Sequence, residues 1–543
     1  MATARAWRGN PWAVLTVVSV GYFMPLLDLT IVNIAIPDLV SDLGMSLDQI
    51  LWVVNGYTLA LAALLVTAGR VGDLRGPRLA FAAGTALFTV ASVACALAQD
   101  PAQLIAFRTV QGIGAAVLIP QTLTILAHTF PPERRGTAFG VWGAVAGLAA
   151  IAGPTLGGLL VTAFGWRWIF LINLPIGIVV LFGTFAVIEE MRETRPRRLD
   201  PLGVLLCTLA FTALCYGLVE GQRYDWGTIR SFVSIPLVLA AGVVLLALFL
   251  WTQARVQDRD PLIPFALFKD REYALMNIVG GAVNVGMLGF LLLFNLYLQA
   301  ALGMSALRAG LTLAPAALVS MLLAPLTGRL TDRVDGRWIL FGGLLLFAAG
   351  MAWMAAVATT ESAWYTFLPP LVVAGVGMGG TFAPMPAIAM HGVPPALNSS
   401  ASGVFNSNRQ FGSVLGTAAV GALLQSRLAT AIGERATERA RSLPAGYRAP
   451  FTAALRRAAD SAVEAGGDGS HLAAPPGIPR AAAAQLREAG RYAMAHGLVD
   501  AVRQTVVLPV AMTALAAVCC LAVRSAARRE QNPDDLRVEV TSA

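Results

Sequence analysis

The sequence predicts an all-α integral membrane protein of 14 helical spans, grouped as two pseudo-symmetric six-helix bundles with two extra central helices. Three observations lead there. Of 543 residues, 57% are hydrophobic and only 13% charged, against roughly 25% charged in soluble domains. Apolar stretches long enough to cross a hydrocarbon layer of about 30 Å, roughly 20 residues each, recur from Trp12 almost to Arg524. Short motifs also recur in register: Leu43-Gly44-Met45-Ser46 matches Leu302-Gly303-Met304-Ser305, and Gly69-Arg70-Val71-Gly72-Asp73 matches Gly328-Arg329-Leu330-Thr331-Asp332. Gly44 and Gly303, Gly69 and Gly328, Asp73 and Asp332, and Arg78 and Arg337 are each 259 positions apart, the mark of a duplicated bundle.

The spans are expected at 12–36, 48–69, 79–99, 102–127, 137–163, 167–188, 201–220, 231–252, 273–299, 306–327, 338–358, 362–390, 398–424 and 500–523. Helices are required because each satisfies its own backbone hydrogen bonds in lipid. Alternate connectors are rich in arginine: Arg70, Arg75 and Arg78; Arg134 and Arg135; Arg192, Arg195, Arg197 and Arg198; Arg255, Arg259, Lys269 and Arg271; Arg329, Arg333 and Arg337. The short connectors between them hold only Arg167, Arg223, Arg230 and Arg308. Positive residues stay inside, so the parity predicts both termini in the cytoplasm and a multi-pass protein of the inner (cytoplasmic) membrane. Arg5 and Arg8 precede an apolar run as in a signal peptide, but its length, its Asp28 and the many later spans make it the first permanent span.

The domains follow: an N-terminal bundle over 1–190, two extra helices with linkers over 191–260, and a C-terminal bundle over 261–543. The stretch 425–499 fits no span. It is rich in Ala and Arg and broken by Gly466, Gly467, Pro475, Pro476 and Pro479, and is expected as a long extracytoplasmic loop. Runs such as 452–465 read equally as short amphipathic helices at the membrane surface or as poorly ordered chain. The net charge of +8 is spread over connectors, which gives no reason to expect a nucleic-acid partner. Cys95, Cys207, Cys215, Cys519 and Cys520 all lie in apolar stretches without ligand spacing, as small buried hydrophobes rather than a metal site.

Several motifs carry chemistry. In 69–78, glycines allow close helix approach and a turn, and Asp73 with its arginines can form a breakable charge latch; an ordinary positive-inside loop has the same composition. Arg108, in Arg108-Thr109-Val110-Gln111-Gly112, sits within an apolar span, where an arginine either faces a partner or an aqueous cavity or snorkels to the surface. Gly153-Pro154-Thr155-Leu156-Gly157-Gly158 permits close packing and a bend. These three stretches resemble the signatures of the major facilitator superfamily, the last of them its antiporter signature, with Leu74 and Ala149 departing from the family pattern. Leu27 to Pro37, Trp52 to Tyr57, Trp166 to Pro175 and Asn406 to Gly412 look like its fourteen-span drug:proton antiporter branch. The resemblance covers nearly the whole chain except 425–499. It implies the major facilitator fold, alternating access and proton-coupled efflux of small amphiphilic drugs, dyes or antibiotics, by a functional monomer that uses the proton gradient and no cofactor. It assigns a latch to Gly69, Asp73, Gly76, Arg78, Gly328, Asp332 and Arg337, and a hinge to Gly153, Pro154, Gly157 and Gly158.

Proton or substrate coupling is expected at Asp28 and Arg108. Asp28 lies some 24 Å along its span, where an unpaired charge costs several kcal/mol, so the carboxylate can hold a proton or a cationic substrate; a purely structural carboxylate bonded to neighbouring helices is the alternative. Candidate cavity groups are Asn33, Tyr57, Gln121, Asn284, Asn295, Gln299 and Arg409, although helix–helix hydrogen bonds account for such residues as well. The position equivalent to Asp28 in the second half is Met287, and no central acid follows, so a neutral or monocationic amphiphile is expected in preference to a dication. The only lysine, Lys269, is outside any phosphate-loop pattern, and the four histidines suggest no catalytic pair. An ATP-driven pump and an enzyme are therefore not expected, and a proton-coupled importer on the same fold is the remaining alternative.

Overall fold

A computed structural model describes residues 9–190, 200–258 save 222 and 225, 261–455 save 442, 444–446 and 454, and 480–523. The arginines at 192–198, Arg259 and the Gly/Pro residues of 466–479 lie outside these. Among the described residues, 14 helices are long and apolar enough to cross a membrane. The principal helices are α1 (Pro11–Ile31), α2 (Leu47–Arg75), α3 (Pro77–Ala96), α4 (Pro101–Thr129), α5 (Arg135–Phe164), α6 (Asn173–Val187), α7 (Pro201–Glu220), α8 (Ile235–Arg255), α9 (Arg271–Leu296), α10 (Ala306–Thr331), α11 (Gly336–Val357), α12 (Leu368–Phe382) and α13 (Asn398–Ala440). The last span joins α14 (Arg480–Thr505) to α15 (Val507–Cys520).

The repeated sequence makes repeated local structure. Gly44 and Gly303 both take the left-handed conformation, with φ of 61° and 64°, which a side chain disfavours. Two residues later Ser46 and Ser305 cap α2 and α10, each hydroxyl accepting from the backbone N–H three residues on. One motif thus stops a connector and starts a helix in each half.

Pro11 and Cys520 lie on one face of the bundle, where the ring of Trp12 meets that of Phe130 edge-on and Arg337 donates to the Val523 carbonyl. This terminal face is where the halves meet most closely. There α5 crosses α10 and α2 crosses α13. A Cβ on Gly140 would strike the Ala324 carbonyl, and one on Gly69 would come within 2.7 Å of the Ser399 carbonyl. Helix α7 packs against α2 and α13, with Phe211 edge-on to Phe411, so it seals one seam between the halves. Helix α8 packs mainly on α7 and exposes Leu237, Val243, Val244, Leu248 and Trp251, a surface suited to lipid.

Three expectations need correction. Gly69 to Arg75 is not connector: α2 continues through Arg75 and turns only at Gly76, whose φ of 89° requires glycine. The eighth span starts at Ile235 instead of 231, because Thr228–Arg230 and Val233–Ser234 pair as a small antiparallel hairpin. Most importantly, much of 425–499 is helix. The 43 residues of α13 extend about 64 Å at 1.5 Å per residue, twice a hydrocarbon core of about 30 Å. The projecting part pairs with α14 through Leu428, Ile432 and Ala436 against Ala493, Val499 and Val502. Arg435 clamps it, donating to Asp500 at 2.7 Å and to Glu438 at 2.9 Å. Alanine and arginine, read as loop composition, are here strong helix formers with a continuous apolar stripe. Within 452–465 only 452, 453 and 455 are described, all helical.

Candidate functional site

Asp28 and Arg108 form a closed polar centre between α1 and α4, fully buried and 1% exposed respectively. Arg108 Nη1 donates to Asp28 Oδ2 and, at 2.7 Å, to Gln111 Oε1; Gln111 Nε2 donates to Asp28 Oδ1 at 2.9 Å. Arg108 Nε donates to the Val53 carbonyl at 3.1 Å, and the Tyr57 ring lies 4.4 Å from the guanidinium. Arg108 therefore faces partners and does not snorkel. Stripping water from either charge alone would cost several kcal/mol, and the pair with its extra hydrogen bonds offsets that. Tyr57 belongs to this centre: its hydroxyl donates to the Pro25 carbonyl at 3.3 Å. Sequence reasoning missed Gln111 as a site residue, although it follows Arg108 by three positions and so shares its helix face.

The two latch aspartates cross between the halves in exchanged fashion. Asp73, near the end of α2, accepts from the Ser400 hydroxyl at the start of α13 and lies 3.7 Å from Arg70. Asp332, at the end of α10, accepts from the backbone N–H groups of Gly136 and Thr137 at 2.7 and 2.8 Å and from the Thr137 hydroxyl at 2.6 Å, all at the start of α5. Each carboxylate thus meets the positive end of a helix in the other half. The remaining latch residues divide. Gly69 and Gly328 make the close crossings, whereas Gly76 forms a turn. Arg78 stays in its own half, on the Phe185 carbonyl at 2.9 Å and Glu190 at 3.8 Å. Arg337 likewise keeps to its own half, on the Val523 carbonyl and Asp335.

Gly153 and Gly157 face α1, where a side chain would meet Thr30 and Ile31, while Gly158 faces open space. Pro154 lies within α5, which runs unbroken from Arg135 to Phe164. The candidate cavity residues do not form one set. Asn33 is exposed at the far end of the first span. Gln121 is buried and donates to the Ala68 carbonyl at 3.0 Å, holding α4 to α2. Asn284 donates to the Gly280 carbonyl on its own helix. Asn295 and Gln299 bond each other.

Arg409 is different. It stands on α13 about 16 Å from Asn398 along the helix, the depth of Tyr22 on α1, 11 residues on from Pro11. Its guanidinium faces the Tyr22 hydroxyl and lies 5.8 and 6.0 Å from the rings of Phe405 and Phe382. Tyr22 in turn stacks on Trp142 of α5, centroids 4.3 Å apart. Among the described residues, no carboxylate pairs with Arg409, and its buried Nε has no hydrogen-bond partner. Tyr22, Trp142, Phe382 and Phe405 carry no sequence signal, since scattered aromatics in apolar helices read as packing. A groove of about 670 Å³ on the projecting part of α13, lined by Thr430, Glu434, Thr437, Glu438 and Arg441, belongs to one helix. It begins some 30 Å along that helix from Arg409 and is separate from this centre.

The Major Facilitator Superfamily model matches residues 18–417. The chain is 37% identical over 461 residues to a probable actinorhodin transporter of Streptomyces coelicolor, covering 83% of this chain and 79% of that protein. It is 34% identical over 426 residues to a tetracenomycin C resistance and export protein of Streptomyces glaucescens, covering 78% of each. Among solved structures, the proton:xylose symporter XylE superposes with a TM-score of 0.53 at 12% identity, covering 75% of this chain and 87% of that one.

Proposed function

The chain belongs to the major facilitator superfamily, and on that premise we propose a proton-coupled efflux transporter that moves small amphiphilic drugs, dyes or antibiotics across the cytoplasmic membrane by alternating access. Relatives named for antibiotic export and resistance support efflux over the importer reading. The family is one of transporters, and the chain is read as no enzyme, acting as a monomer without a cofactor. The arginine-rich connectors fall on the terminal face, which is taken as cytoplasmic.

The observation that carries proton coupling is Asp28, the one fully buried carboxylate among the described residues, held by Arg108 and Gln111. When Asp28 takes a proton from outside, its pull on Arg108 weakens. Arg108 keeps the Val53 carbonyl, Gln111 and the Tyr57 ring, so the released arginine is not stranded. Proton release on the cytoplasmic side restores the pair. In the arrangement described, Asp73 and Asp332 hold the terminal face shut. Opening it exchanges their helix-end contacts for water, about 1 kcal/mol each, a barrier that substrate binding can tip. Purified protein in vesicles with an imposed pH gradient, screened with dyes and antibiotics, tests this. Wild type should drive flux and Asp28→Asn should fall to the level of empty vesicles while inserting normally. Wild-type flux in Asp28→Asn removes that residue from the mechanism.

A further inference from the structure

We propose that Arg409 is the receptor for the anionic head of an aromatic substrate, a carboxylate or an ionised phenol, with Tyr22, Trp142, Phe382 and Phe405 receiving its rings. This rests on the efflux reading and specifies the substrate that reading leaves open.

The argument is one of charge compensation. A cation inside a membrane protein is stable only when paired, hydrated through a cavity or completed by a ligand. Arg108 is paired, and Asp28 and Arg108 together contribute no net charge. Arg409 faces only the neutral Tyr22 hydroxyl and two ring faces about 6 Å away. Its Nε is enclosed and unbonded. The residue as a whole is half-buried. Among the described residues, Arg409 thus leaves a positive charge inside the bundle without a carboxylate partner and with an unused Nε donor.

The surroundings select what completes it. Rings come from both halves: Tyr22 and Trp142 from α1 and α5, Phe382 and Phe405 from α12 and α13. Gly280 on α9 opposes the Arg409 stem, where a side chain would come within 3.3 Å. A planar guanidinium favours a carboxylate or phenolate in bidentate contact, and ring faces favour a flat aromatic body. Of the neutral or monocationic amphiphiles expected from the sequence, a cationic one would be repelled here. The Tyr22 hydroxyl that now faces Arg409 is the group a ligand oxyanion displaces, so binding loosens a contact between the halves.

The test uses two dyes that share a xanthene ring system, anionic fluorescein and cationic rhodamine 6G. Equilibrium binding to the purified full-length protein is followed by fluorescence polarisation without any gradient. Wild type should bind fluorescein. Arg409→Gln should weaken it about tenfold or more, the value of a charge-assisted hydrogen bond, with rhodamine 6G affinity unchanged or raised. Arg409→Lys should recover part of the loss. No fluorescein binding by wild type, unchanged fluorescein binding by Arg409→Gln, or equal loss for both dyes in a variant that elutes and melts like wild type would overturn the proposal. Arg409-dependent binding without gradient-driven flux would overturn the efflux reading and leave this site standing.

Discussion

Arg108 and Arg409 both lie inside the helix bundle, one in each half, and are treated in opposite ways. Arg108 is locked to Asp28 and Gln111, with its ring partner Tyr57 beside it and no free space. Arg409 has aromatic neighbours, an unbonded Nε and partial exposure. The repeats do not share the acid either, since the position equivalent to Asp28 in the second half is Met287. A compensated charge suits a proton switch, because protonation changes the net charge without bringing in a ligand. An uncompensated charge suits recognition, because only a ligand can complete it. The two halves thus share their closing contacts and divide their chemistry.

Stability separates the two arginines most strongly. Arg108→Gln strands a buried carboxylate and should cost about 3–5 kcal/mol, whereas Arg409→Gln strands none and should stay within about 1 kcal/mol of wild type. Unfolding in a common detergent reads both, and equal losses would break the distinction. Adding Asp28→Asn to Arg108→Gln should recover most of the loss. Gln111→Ala comes next, at about 1–3 kcal/mol, because it leaves an Asp28 oxygen and an Arg108 donor without their partner. Asp332→Ala removes three hydrogen bonds at the start of α5 and should cost about 1–2 kcal/mol. Its expected signature is a wider population of distances between spin labels at Glu133 and Val334 on the terminal face. The smallest effect is at Asp42, whose carboxyl the Trp166 indole N–H and then Arg167 hold below the ordinary carboxylate value. A depressed value means this contact contributes above the unfolded pKa of about 4 and is lost as pH falls through the lowered one. Trp166 fluorescence should therefore be flat from neutral pH down to about 5 and change only in stronger acid.

Much of this was legible in advance. Span number and most boundaries followed from apolar length alone, because lipid admits only helices that satisfy their own backbones. Where sequence reasoning failed, a local reading met a tertiary partner. The 425–499 stretch looked like loop until α13 and α14 were seen to bury each other's apolar faces. For Gln121 and Tyr57 the sequence left cavity lining and helix contact both open, and each makes a contact between helices.

The repeat at 259 positions determined by itself that two bundles exist, that Gly44 and Gly303 turn alike, and that Asp73 and Asp332 occupy equivalent places, since these depend on neighbours in sequence. The tertiary structure alone decided that each aspartate reaches a helix start in the other half. It also decided that Arg108 has a carboxylate and Arg409 has none. Partners 80 residues apart, as Asp28 and Arg108 are, meet only when helices pack, and charge compensation is a property of that meeting.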